Sequence, residues 1–433
     1  MHVPPFITIP QARQIIRDHV KPGRVEQVGL VEALGRVAAA DLRSDINVTP
    51  FDDSAMDGFA LRCADLAQAS QDSPVDLVVV AHLGAGSVFD GTLAPGQCAR
   101  IMTGAMVPTG ADAVVRIEDV ALPSEDPGAG GVGEAVRFVK PVALGTAIRK
   151  AGEEAKAGDV VVKAGQVIGA AGVGLLAACG NLEVPVYAKP RVGILSVGSE
   201  LTSASQVPEP GMIRDSNSWA MRANVISAGG IPVFYGQIPD DYQQIKDAYQ
   251  RAAAECDLVV STGGACMGDF DLTGAVLAEL GQVHFHRVNM RPGKSQPFGM
   301  IGDVPAFVLS GNPAASTVGF ELYVRLAMRI LEGHSQLDRP TLTAHIASDV
   351  RKKDPRLFME RGFLTQTDDG RLQVELFRKQ SSALFGALHQ ANCLVVIPEG
   401  LEGLSAGDPV TCVLTCADES VPLRSTFDGG LSR

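Results

Sequence analysis

The sequence predicts a multidomain chain of α/β and β type. It comprises an open, mostly parallel three-layer α/β domain, a small β-rich domain, a helical or extended arm, and a C-terminal β-barrel-like domain. Three observations lead there. Continuous apolar strands alternate with helices over residues 188–335, as in a parallel sheet covered on both faces. Short alternating strands with Gly/Pro turns fill residues 49–140 and 336–417. The 433 residues also exceed what one hydrophobic core usually supports.

The N-terminal stretch reads as two short helices, IPQARQIIRDHV and LVEALGRVAAADL, separated at Lys21-Pro22-Gly23. Together with the Gly/Ala-rich QVIGAAGVGLLAACG they suggest an elongated arm made from residues 1–48 and 141–187. Between the two pieces, VDLVVVAHL, QCARIM, AVVRIEDV and AVRFVK read as strands of the small β domain. The Gly-rich PSEDPGAGGVGE reads as a solvated loop, because no helix follows it to make a phosphate cradle.

In the α/β stretch, RVGILSVG, IPVFYGQI, DLVVSTGG, VHFHRVN and AFVLSG are the expected strands. Helices are expected near SNSWAMRANVISAG, in DYQQIKDAYQRAAAE, and from Ala314 to about Glu332. TLTAHIAS, GFLTQT, QVELF, NCLVVIP and PVTCVLT supply the strands of the last domain, and residues 418–433 form an aperiodic tail.

A formal net charge of -12 without any basic run argues against a nucleic-acid partner. No stretch of about 18 apolar residues and no signal-like start is present, so no membrane association and a cytoplasmic location are expected. The 8 Cys include no CxxC pair, which suits reduced thiols.

Ligands of open α/β sheets bind beyond the carboxyl ends of the strands. There this sequence places Val197-Gly198-Ser199-Glu200, Arg214-Asp215-Ser216-Asn217, Ser261-Thr262-Gly263-Gly264 running on to Asp271, Arg291-Pro292-Gly293-Lys294 and Ser310-Gly311-Asn312-Pro313. Backbone amides, two cations and several carboxylates on one rim suit a phosphorylated ligand with a divalent metal. His284 and His286 share a strand face but lack a third ligand for zinc.

PFDDSAMDGFA, RIMTGAMVPTGADAVVRIED, SVGSEL, RDSN, STGGACMGDFD, RPGKSQPFG and LSGNPAAS occur in this order, and over roughly residues 5–415 the chain resembles the molybdopterin molybdotransferases. The resemblance implies insertion of molybdate into adenylylated molybdopterin with release of AMP and with Mg²⁺ as cofactor. It implies an elongated homodimer of four-domain subunits, the active site lying between the α/β domain of one subunit and the small β domain of the other. It further implies catalytic roles for Asp53, Thr103, Glu200, Arg291 and Lys294, and metal binding by Asp240 and Asp271. Substrate contacts fall on Ser199, Asp215, Asn217, Gly263, Gly264, Gly311, Asn312 and Pro313. Short matches at ERGFL and KQSSA add Arg361 and Ser382.

The chain departs from the family pattern at Ser310, where Pro is usual, at Glu154, where Asp is usual, and at Ser381, where Gly is usual. Molybdopterin adenylyltransferase and molybdoenzyme-maturation proteins are the implied partners. The alternative reading is a catalytically weak scaffold or cofactor-storage protein of the same fold. Retention of converging carboxylates and cations favours the enzyme.

Overall fold

A computed structural model describes residues 6–122, 129–264 and 272–416. The expected tail at 418–433, part of PSEDPGAGGVGE and the run 265–271 that contains Asp271 lie outside the described residues. Two compact units emerge, Gln27–Val186 and the remainder of the described chain.

In Gln27–Val186, alternating apolar residues build a five-stranded sheet with the order Ala113–Arg116, Gly58–Leu61, Gln97–Ile101, Val75–Leu83, Ala135–Phe138. Gly58–Leu61 is buried at all four positions because both faces are covered. Phe59 and Leu61 pack with Leu77, Val79 and Phe138 on one face, while Ala60 packs with Leu83, Ala99, Ile101 and Val114 on the other. A second core joins Ala33, Ala38 and Leu42 to Ile168, Leu176, Val184 and Val186.

The helix expected over LVEALGRVAAADL does not form. Gly35 takes φ +76 after a short turn, and the chain then runs extended, with Val37 bridging Val167 and Ala38 bridging Val186. The apolar side chains that suggested a helical stripe, Val31 and Leu34, are exposed. Gly, with no Cβ, takes the left-handed conformation at no steric cost, and backbone bonds to residues 165–168 replace helical ones. Farther on, the helix is confined to Ala170–Ala178.

The other unit opens with the helix Ile9–His19, started by a reciprocal capping box between Thr8 and Gln11. Its Ala12 and Ile16 are packed in one core with Leu326, Ala327 and Leu331 of the long helical run Pro313–Leu331. The first segment therefore covers the α/β sheet.

That sheet has six strands in the order Ile231–Ile238, Arg191–Val197, Leu258–Thr262, Val304–Leu309, Ser295–Ile301, Gln282–Arg287. Its first four strands are mutually parallel. Ser295–Ile301 runs antiparallel to both neighbours. This strand was not foreseen, because Pro297 and Gly299 break the β signature of SQPFGMI. Burial decides the matter: Phe298 is fully enclosed, 4.7 Å from Phe307 and 5.5 Å from Phe285 between ring centroids.

Downstream, Leu357–Gln366, Leu372–Leu376, Thr341–Ile346, Pro409–Leu414 and Cys393–Ile397 pair in turn, and the last pairs again with the first, closing a five-stranded barrel. Its interior holds Ile346, Leu364, Val374, Val395 and Cys412. No described helix is long and apolar enough to cross a membrane.

Truncating Phe298 to Ala should lower the stability of this unit by about 3–5 kcal/mol, the usual cost of removing a buried Phe. Denaturant unfolding of the variant checks it. A loss under about 1 kcal/mol would show that the antiparallel strand is not part of the core.

Candidate active site

The carboxyl ends of the parallel strands are drawn together by short backbone approaches. Gly263 follows the central strand with φ +88, and a Cβ there would sit 2.0 Å from the Val197 carbonyl oxygen of the adjacent strand. Only glycine meets both demands. Gly311 lies close enough that its own Cβ would stand 3.5 Å from Gly263 Cα. The Asn217 side chain donates to the Gly311 carbonyl at 2.8 Å, tying a third loop to the same edge.

Ser199 and Asp240 lock two further loops by exchange. The Ser199 N–H donates to Asp240 Oδ2 at 2.9 Å, and Ser199 Oγ accepts from the Asp240 N–H at 2.9 Å. One carboxylate is thereby fixed at the rim with acceptor capacity to spare.

Around these ends lies a cavity of about 1080 Å³, lined by Glu200, Asp240, Gly263, Gly264, Arg291, Lys294, Gly311, Asn312 and Ser382 among others. Nine of the residues anticipated from sequence are thus brought to one surface. Arg291 is positioned from below: Met290 and Arg291 pair in parallel with Leu357 and Phe358 of the barrel, and the guanidinium lies 5.1 Å from the centre of the Phe358 ring. Among the described residues no carboxylate lies within ion-pair distance of Arg291 or Lys294. That leaves two cations available to an anion, in a cavity that two carboxylates also line.

Other anticipated residues play supporting parts. Asp215 is buried and caps the following helix, accepting from Ser218 N–H at 3.0 Å. Pro313 occupies the start of its helix, and Asn312 stands at the N-cap without a side-chain bond. The Ala314 N–H donates to the Ser382 carbonyl at 2.8 Å, so this helix end is partly satisfied by the barrel domain.

Arg361 is 0% exposed and does not line the cavity. Its Nη2 donates to the Ser381 carbonyl at 3.2 Å, and its backbone exchanges bonds with the Gln380 side chain, which does line it. Glu360 lies 3.6 Å away. Burial pushes the Glu360 carboxyl up and the Arg361 guanidinium down; the nearby Arg291 charge opposes the first shift and adds to the second.

In Gln27–Val186 the structure joins the two anticipated loops. Asp53 is buried, 2.5 Å from Arg149 Nη2 and accepting from Thr49 Oγ1 at 3.1 Å. The group that Thr103 serves is Asp57, whose Oδ1 accepts from both its N–H and its Oγ1 at 2.7 Å. Those two bonds hold the exposed Asp57 carboxyl below its ordinary value. The motif PFDDSAMDGF contains Asp57, but nothing in the residues alone separates it from Asp52 and Asp53.

Of the polar residues lining the cavity, Arg356 falls outside every motif in the sequence, and Gln380 falls inside KQSSA without a role assigned there. Arg356 follows Lys352 and Lys353 in KKDPRLF, and nothing local separates it from those two cations. Its side chain is held by Asp354, with Nε 2.9 Å from Oδ1, and reaches the Met290 carbonyl at 3.4 Å. His284 and His286 gather no third metal ligand among the described residues.

Family models match nearly all of the chain: the MoeA N-terminal region (domain I and II) over residues 7–180, a probable molybdopterin binding domain over 193–330, and the MoeA C-terminal region (domain IV) over 343–415. A Bacillus subtilis protein named molybdopterin molybdenumtransferase is 36% identical over 409 residues, covering 94% of both chains. The Haemophilus influenzae protein of the same name is 34% identical over 408 residues, 94% of this chain and 98% of that one. A crystal structure of a molybdopterin biosynthesis MoeA protein from Pyrococcus horikoshii superposes with a TM-score of 0.80 at 30% identity, covering 95% of this chain and 100% of that one.

The fold is therefore of the MoeA type, mixed α/β with a closed five-stranded barrel in the C-terminal region. The chain belongs to the molybdopterin molybdenumtransferase family.

The Arg356 guanidinium holds the Asp354 carboxyl down to about 2, with burial opposing and the more distant Arg291 charge assisting. Because the folded value lies below the unfolded value of about 3.9, the pair contributes above about pH 4 and is lost as pH falls through about 2. Carbon-detected NMR should find the Asp354 midpoint near 2 in the wild type. It should return to about 4 in Arg356→Gln. An unchanged midpoint would mean that Arg356 is not held there.

Proposed function

We propose that the chain inserts molybdate into adenylylated molybdopterin at the strand-end cavity and releases AMP. The observation that carries this reading is the presence on one large cavity of two cations without a carboxylate partner among the described residues, Arg291 and Lys294, and two carboxylates, Glu200 and Asp240. Molybdate and a pyrophosphate are both anions. They need cations and glycine-lined backbone to approach, which Arg291, Lys294, Gly263 and Gly311 supply.

Cleaving the phosphoanhydride requires an oxygen of water or molybdate to form a new bond to one phosphorus as the bridging P–O bond breaks, which leaves the electron pair, and hence negative charge, on the departing phosphate oxygen. Arg291 and Lys294 offset that charge where it develops, in a site partly shielded from water. Arg291 can bind two oxygens at once through its planar fork, whereas Lys294 acts as a mobile point charge. The hard oxygen donors Glu200 and Asp240 suit Mg²⁺, which is commonly held by one or two carboxylates together with substrate phosphates. When bound there, Mg²⁺ supplies further charge neutralisation across the phosphates. Asp271 belongs to the same proposed donor set.

We further propose that the chain works as a homodimer, with the joined loops bearing Asp57 and Thr103 completing the cavity of a second copy. The small exposed carboxylate of Asp57, already ordered by Thr103, is the group in its loop best placed to take part.

Purified protein given adenylylated molybdopterin, molybdate and Mg²⁺ should release AMP and yield cofactor that activates a molybdenum-dependent apoenzyme. Lys294→Gln should cut that rate at least about tenfold, since a hydrogen-bonded charge facing a phosphate typically contributes that much or more. Tight binding of the substrate with no AMP released by the wild type would sink the transferase reading and favour a cofactor scaffold.

A further inference from the structure

Away from the strand-end cavity, a second, smaller cavity of about 190 Å³ opens between the helix Ile9–His19, the long helical run and the barrel. Arg13, Arg325 and Arg339 line it, opposed by Glu321 and Asp338. On a chain of net charge -12, such an excess of guanidinium around one cavity runs against the overall balance.

The two carboxylates are already engaged. Arg339 takes Glu321 through both arms of its fork, Nε to Oε2 at 3.0 Å and Nη2 to Oε1 at 2.9 Å. Asp338 accepts from Arg13 and, at 3.4 Å, from Arg17. Arg325 is left over. Its side chain is only 12% exposed, and its one ion-pair partner among the described residues is Glu321 at 4.0 Å, beyond hydrogen-bonding range.

A guanidinium this enclosed should find acceptors for its five N–H groups, because leaving them unmet is costly. Burial, with repulsion from Arg339, accordingly pushes Arg325 down to about 10. Additional guanidiniums at Arg329 and Arg13 repel it too.

We propose that this cavity is a binding site for a small tetrahedral oxyanion, with Arg325 as its principal ligand and Arg13 and Arg339 as flanking charges. Phosphate, sulfate and molybdate share the required chemistry: compact, doubly charged, and rich in acceptors matched to a planar fork. The volume accommodates one such ion but no nucleotide. Leu322, Leu337, Leu394 and Val413 close the apolar side of the cavity, where water screening is reduced and an ion pair strengthened. The site does not depend on the transferase reading, because none of its residues lines the strand-end cavity.

The test is equilibrium titration of the full-length protein with sodium phosphate, sodium sulfate and sodium molybdate at fixed ionic strength. Wild-type and Arg325→Gln protein would be compared, each shown to be folded by circular dichroism. Loss of charge-assisted bonds should weaken one class of sites by about tenfold or more in the variant, leaving any site at Arg291 and Lys294 unchanged. The anion bound most tightly identifies the source of the ligand. Equal binding of all three anions by wild type and folded variant would overturn the proposal. Crystals of the wild type soaked in molybdate decide the case if the variant does not fold. Anomalous density beside Arg325 supports the site, and density confined to other positions overturns it.

Discussion

The short parallel pairing of Met290 and Arg291 with Leu357 and Phe358 is the contact on which the candidate site depends. It seats a loop of the α/β sheet on the first strand of the barrel, and the barrel is closed, so its strands cannot slide freely. Arg291 is consequently held on a strand seated against the barrel, while Gly293 at φ +84 lets the chain turn before Lys294. The bond from Arg356 to the Met290 carbonyl and the bond from Ala314 to the Ser382 carbonyl repeat the same joint from other directions. A cavity wall made by two domains in contact needs no large loop to order itself on binding.

Charge is arranged on this frame by subtraction. Arg356 is matched by Asp354, and Arg361 lies near Glu360. What remains on the lining of the main cavity, among the described residues, is Arg291 and Lys294 together with Glu200 and Asp240. Partly or fully buried pairs of this kind add little net stability, but they fix where the remaining charges point. The same subtraction leaves Arg325 at the second cavity, which is why that cavity carries a proposal of its own.

Much of this was legible from sequence because strand ends and glycines carry local signatures. The α/β alternation and the five barrel strands were all readable from apolar periodicity, and the rim residues from their places after strands. The misread helix near Leu34 and the unforeseen strand around Phe298 share one cause, that tertiary pairing outweighed local pattern. Arg356 was invisible for another reason: its significance lies in a contact with residue 290, across the chain, that no spacing announces. The role of Asp57 likewise rests on a bond to Thr103, 46 positions away.

The central claim is that molybdopterin and molybdate meet at the strand ends beneath Arg291 and Lys294. The most direct measurement is a crystal structure of the protein with adenylylated molybdopterin bound. The account predicts density for the pyrophosphate over Gly263 and Gly311, with Lys294 in contact with its oxygens. A substrate bound elsewhere on the chain, with that cavity filled only by solvent, would contradict it.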